Sequence, residues 1–171
     1  MRIHLLFLLP AVALTSCARP PAPAESPSPA EALDRMDERS PVPLLPMMAL
    51  HQKENMRDHL VAVQEVVAAL VAEDFEAVER AAARLGSSDQ MRRMCDHMGA
   101  GAPGFTEQAL GFHETADAIL EGARERDGKK VLAALDATLR TCTACHARWK
   151  QKVVDDEEWE RATAGKVAGH P

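Results

Sequence analysis

The sequence predicts an all-α protein, an antiparallel up-down-up-down four-helix bundle, on three observations. The first is composition. Of 171 residues, 46% are apolar, yet there are only two Trp, four Phe and no Tyr. Ala, Leu and Val supply the apolar content, which favours helices over strands built from β-branched and aromatic residues. The second is periodicity: apolar residues recur at steps of three and four in four segments, and no segment alternates with period two. The third is the shortness of the connections, which makes consecutive helices antiparallel neighbours.

The first long segment follows Pro46, a residue suited to a first helical turn. Met56, Leu60, Val63, Val67 and Leu70 form its stripe. The second starts at Asp74, an N-cap residue, carries Phe75, Val78, Ala82 and Leu85, and stops at Gly86. Residues 87–104 are rich in glycine toward their end, with a short helical turn expected in "DQMRRMCDHM". The third segment runs from Phe105 to Arg126 on Phe105, Ala109, Phe112, Ala116, Ile119 and Ala123, and "RDGKK" makes a tight turn. The last carries Leu132, Leu135, Leu139, Cys142, His146, Trp149 and Val153 in the same stepping.

Upstream of this region the composition changes. "MRIHLLFLLPAVALTSC" has one basic residue and then an apolar run too short to span a bilayer, so residues 1–16 read as a signal peptide. Its end, "LTSC", resembles a bacterial lipobox, which makes Cys17 the lipidated residue and new N-terminus of an exported chain. Residues 17–46 hold eight of the eleven prolines and are expected to be an extended tether, reaching roughly 90 Å at most. A short helix within "AEALDRMDER" is marginal alone. Residues 47–154 form the helical domain, and residues 155–171 an acidic, solvated tail with a helix expected to fray. The net charge of −6 provides no basic face for nucleic acid.

Chemistry concentrates in "CTACH", Cys142 to His146. A redox dithiol sits at a helix N-terminus, where the dipole lowers the thiol pKa, whereas this motif lies several turns into a helix. Zinc needs further ligands at suitable spacing, and only Cys95 and scattered histidines remain. C-x-x-C-H is also the attachment sequence of c-type haem, in which both thiols form thioethers and the histidine binds iron. Export fits that chemistry, and the stepping of the last helix turns the motif toward the bundle interior. One covalent haem c is therefore expected, with His146 as axial iron ligand.

With "CTACH" near the end of a fourth helix and "HARWK" after it, residues 47–153 resemble the class II c-type cytochromes, including cytochrome c′. The resemblance implies that Trp149 packs near the haem and that Lys150 approaches a propionate. Trp149 stands where that family usually has Tyr or Phe, and Lys150 where Arg is common. The resemblance also implies a sixth ligand from the first helix: Met56 is the candidate, His59 the alternative, and His51 and Met48 are weaker. Members are often antiparallel dimers, so the resemblance admits a homodimer.

"MRRMCDHMG" gathers Met91, Met94, Cys95, His97 and Met98, soft donors of the kind copper(I) takes, or else the side chains of a short capping helix. Cys95 is the odd cysteine out and could pair between chains. His113 flanks the Phe112 stripe. The leading expectation is a periplasm-facing, lipid-anchored monohaem electron carrier whose redox partner the sequence does not name. The alternatives are a high-spin haem protein binding a small gas such as nitric oxide, and a haem-free soft-metal lipoprotein. No second catalytic constellation marks an enzyme.

Overall fold

The computed structural model describes residues 26–164. Residues 1–25, on which the expected signal peptide, Cys17 and the start of the expected tether fall, and residues 165–171 lie outside the described residues. The chain separates into two units after Asp37.

In the first unit, α1 (Pro29–Met36) forms where "AEALDRMDER" predicts a short helix. Ser28 accepts from the Glu31 amide while the Glu31 carboxylate accepts from the Ser28 amide, a reciprocal cap that satisfies two helix-end donors. None of its residues is buried.

The second unit begins with a strand that the sequence stepping did not predict. β1 (Ser40–Leu44) leads into α2 (Pro46–Val71), α3 (Phe75–Ala82), α4 (Asp89–Gly99), α5 (Phe105–Arg124) and α6 (Gly128–Arg148). β2 (Trp149–Val153) and α7 (Asp156–Thr163) complete the described chain. Helices make up 73% of the described residues, an all-α protein with one small sheet. None of them is long and apolar enough to cross a membrane.

The helix boundaries follow local chemistry. Pro46 opens α2 with its fixed φ. Glu73 takes φ 54° beyond the end of α2, and Asp74 then caps α3 by accepting from the Ala77 amide at 2.9 Å. Ser88 caps α4 through the Met91 amide, and Gly104, at φ 87°, turns the chain into α5. Arg126 repeats the left-handed ending at φ 52°, and Asp127 accepts from the Lys129 and Lys130 amides. "RDGKK" is thus the tight turn expected, and "DQMRRMCDHM" is a full helix rather than a single turn.

Two elements correct the sequence expectations. The last helix stops at Arg148, so Trp149 to Val153 leave the helical stepping and pair in parallel with β1, Ser40 opposite Trp149 and Leu44 opposite Val153. The end of the proline-rich segment is therefore part of the fold, with Val42 and Leu44 fully buried. Burial of each contributes about 1.5–3 kcal/mol, enough to hold five residues against the wall of the domain. Pro41 and Pro43 lack amide hydrogens and confine the strand to an edge. The helix expected in the acidic tail is α7, capped by Asp155 through the Glu158 amide, but it is not wholly solvated, since Thr163 is buried.

Two apolar clusters hold the second unit. The larger joins α2, α3, α5 and α6 through Ala62, Val66, Val78, Leu85, Ile119 and Val131 among others. The smaller joins β1, β2, the start of α2, the end of α4 and the start of α5 around Leu44, Met98, Phe105 and Trp149. The α3 and α5 stripes are buried much as their stepping predicts, from Val78, Ala82 and Leu85 to Phe105, Phe112, Ala116, Ile119 and Ala123.

On α2 and α6 the buried line is displaced by one residue from the line of large side chains. α2 buries Ala49, His59, Ala62, Val66 and Ala69, while Met56 is 41% and Leu60 68% exposed. α6 buries Val131, Ala134, Leu135 and Thr138, while Leu132 and Leu139 are exposed. Size does not select the line, since Val66 is buried and Val67 exposed; the buried line is the one that packs in the larger cluster with α3 and α5.

Candidate functional site

CTACH occupies the last turns of α6. Cys142 and Cys145 stand three residues apart on one side of the helix and are both half-buried. Cys142 packs on the larger apolar cluster and Cys145 on the smaller, so the two thiols mark where the clusters meet. Burial pushes both thiols above their ordinary pKa, and a charge on Cys142 would push Cys145 further. A helix C-terminus also disfavours thiolate, the opposite of the setting that activates a redox dithiol. His146 is exposed rather than on a buried stripe, and its ring takes no hydrogen bond among the described residues.

The end of α6 is held from upstream. The Arg39 guanidinium donates through Nη1 to the carbonyl oxygens of His146 (3.2 Å) and Trp149 (3.4 Å). These acceptors lie at the helix end, where carbonyls lack intrahelical partners. Arg39 went unnoticed in the sequence, because nothing local links a residue before β1 to one more than a hundred positions later.

Trp149 is buried in the same cluster as Cys145. It meets Phe105 edge-on at 5.6 Å, donates from Nε1 to Gln108 Oε1 at 2.9 Å, and carries the Arg148 guanidinium over its ring at 4.6 Å. Lys150 lies in β2 opposite Pro41 and is half-buried.

The two candidate ligands on α2 face different ways. His59 is buried, stacked on Phe112, with burial and the neighbouring His113 driving its pKa down to about 4. Met56 belongs to the exposed line Met56–Leu60–Val67, beside the half-buried Val63 and Leu70.

α2 nears the start of α6 at one end and β2 at the other. A Cβ on Gly128 would stand 3.3 Å from Leu70 Cδ1. At the other end Gln151 Nε2, just past α6, donates to the Ala49 carbonyl at 3.2 Å. Between these points Met56, Leu60 and Val67 of α2, and Leu132 and Leu139 of α6, keep 40% or more of their surface exposed.

No family model, curated protein or solved structure matches the chain. What it binds is to be read from its own side chains. Among the described residues, no three of His, Cys, Asp and Glu converge to hold a metal ion. Two half-buried thiols, an adjacent exposed imidazole and a flanking apolar line form a donor set that fits covalent haem, which needs two sulfurs on one helix face, one nitrogen ligand and an apolar wall.

The other soft donors disperse. Cys95 is buried, and burial pushes its thiol up to about 11. Met98 is buried in the smaller cluster, and the His97 ring lies 5.6 Å from that of Trp159. The sequence cluster on α4 is therefore not one convergent site.

Proposed function

We propose that this chain is a monohaem c-type cytochrome, anchored to a bacterial membrane through Cys17 on the periplasmic side and acting in electron transfer. We further infer that α2, α3, α5 and α6 are the four helices of an antiparallel up-down-up-down bundle, as in the class II cytochromes that the sequence resembles. The observation that carries the proposal is the position of CTACH: two half-buried thiols and an exposed His146 at the end of α6, with large apolar side chains left uncovered along α2 and α6.

Cys142 and Cys145 are the thiols that would hold the group, and His146 the imidazole that would bind its iron. Bound haem supplies a metal that gains and loses one electron. The chain's part is to orient it and keep water away. Met56, Leu60, Val67, Leu132 and Leu139 are the apolar cover, which explains why these large side chains are left exposed on α2 and α6. Trp149 walls the site beside Cys145, Arg39 holds the carbonyls around His146, and Lys150 is the cation proposed for a propionate. Met56 is the sixth ligand proposed, since His59 would have to leave Phe112 to serve.

The exposure of Met56 also favours a second reading, in which its thioether covers the iron face without binding and a small gas occupies the position. One experiment tests both. Intact mass after denaturation should show one haem retained, and spectra with and without carbon monoxide should show a low-spin iron that does not bind it. A high-spin iron that takes up carbon monoxide supports the gas-binding alternative, and absence of covalent haem overturns both.

A further inference from the structure

The N-terminal turns of α2 and the middle of α4 meet through side chains to which the proposed haem site gives no role. His51 Nε2 of α2 lies 3.1 Å from Met94 Sδ of α4. Asn55, one turn further along α2, donates from Nδ2 to the same sulfur at 3.3 Å and fixes its orientation. Met48 precedes His51 by three residues, a spacing that puts both on one helix face. Met48 and Met94 pack on the same apolar cluster.

A thioether is a weak hydrogen-bond acceptor. An imidazole nitrogen held against one from a second helix is also a preformed pair of soft donors. His51 is exposed, so the pair is open to solvent, while Met94 is half-buried. Imidazole and thioether donors without carboxylate or thiolate suit a soft, low-charge cation and are a poor cage for zinc, calcium or magnesium.

We propose that His51, Met94 and Met48 form a binding site for a soft monovalent cation, copper(I) by chemical class, with donors distinct from those of the CTACH site. Of the five donors grouped on α4 in the sequence, only Met94 contributes. Cys95 is buried with a raised thiol pKa, and His97 packs toward Trp159. The other two donors come from α2, so a bound ion would pin the start of α2 to α4.

The test is copper(I) titration of the full chain as isolated, accessible thiols capped with iodoacetamide, in competition with bicinchoninate. One equivalent should bind, with sulfur and nitrogen neighbours in the X-ray absorption spectrum. Met94→Leu keeps volume and apolarity, so the fold should persist. It and His51→Phe should each weaken binding at least tenfold. Met36→Leu, an exposed thioether outside the site, should bind as the wild type does. The proposal is overturned if the wild type binds no copper(I), if Met94→Leu binds unchanged, or if Met36→Leu abolishes binding. Haem content and haem spectrum should be the same in wild type and Met94→Leu, so failure of this site and failure of the haem proposal are separate outcomes.

Discussion

His59 lies nearly flat against Phe112, ring centroids 5.0 Å apart at 27°, and meets His113 edge-on at 5.5 Å. The two buried histidines come from different helices and share one apolar setting. His113 is tied through Nδ1 to the Leu85 carbonyl at 2.7 Å. Burial lowers the pKa of His59, with the positive charges of His113 and Arg84 adding to it and Asp58 partly offsetting it. Burial likewise lowers that of His113.

This pair should make the fold acid-sensitive. A histidine with a depressed folded pKa refuses a proton that the unfolded chain accepts near pH 6.5. Stability is therefore complete above about pH 6.5 and lost as pH falls toward 4, the folded value of His59. The loss from His59 should reach on the order of 3 kcal/mol, because each tenfold drop in proton affinity on folding is worth about 1.4 kcal/mol. Urea midpoints at pH 7, 5.5 and 4 measure it. His59→Gln should flatten the dependence, and an unchanged slope in that variant would sink the assignment.

Replacing Cys142 and Cys145 together with Ala should abolish covalent haem. The group proposed between α2 and α6 would then be lost, and the apolar line it covers would face water. The melting temperature should fall below that of the wild type as purified. Retention of haem through denaturation in the double variant would falsify the attachment claim.

Met56→Ala tests the sixth ligand. If the Met56 sulfur binds iron, the variant should turn high-spin, admit carbon monoxide and show a lower reduction potential, since a thioether favours the ferrous state. His59→Ala should leave the iron spectrum unchanged while costing stability, because its ring is packed on Phe112. The reverse pattern would make His59 the ligand.

Leu44→Ala tests whether β1 belongs to the cooperative fold. Leu44 is fully buried, so truncation should cost about 2–5 kcal/mol. It should also speed hydrogen exchange at the Val154 amide, which donates to the Leu44 carbonyl at 3.0 Å. A cost below about 0.5 kcal/mol would make β1 a passive extension of the tether, given the usual range for surface changes.

By itself the sequence determined where α2, α3 and α5 lie and where α6 starts. Asp74, Gly104 and Asp127 act on the chain within a few residues of themselves, so local chemistry decides those ends. It also determined the buried stripe of α5, because Phe112, Ala116, Ile119 and Ala123 have no competing apolar line beside them. CTACH was legible for the same reason: its spacing is complete within five residues.

Only the tertiary structure decided which of two adjacent apolar lines on α2 and α6 is buried. Period alone favours the larger residues, Met56, Leu60 and Val67, yet packing in the larger cluster buries Ala62, Val66 and Ala69 instead. It alone decided that His59 faces Phe112 and that His51 meets Met94. It alone decided that the helix ends before Trp149. β1 and β2 pair across more than a hundred residues, and the burial of Val42, Leu44 and Trp149 exists only once that contact has formed. A helical stepping read along the chain contains no information about a partner so far away.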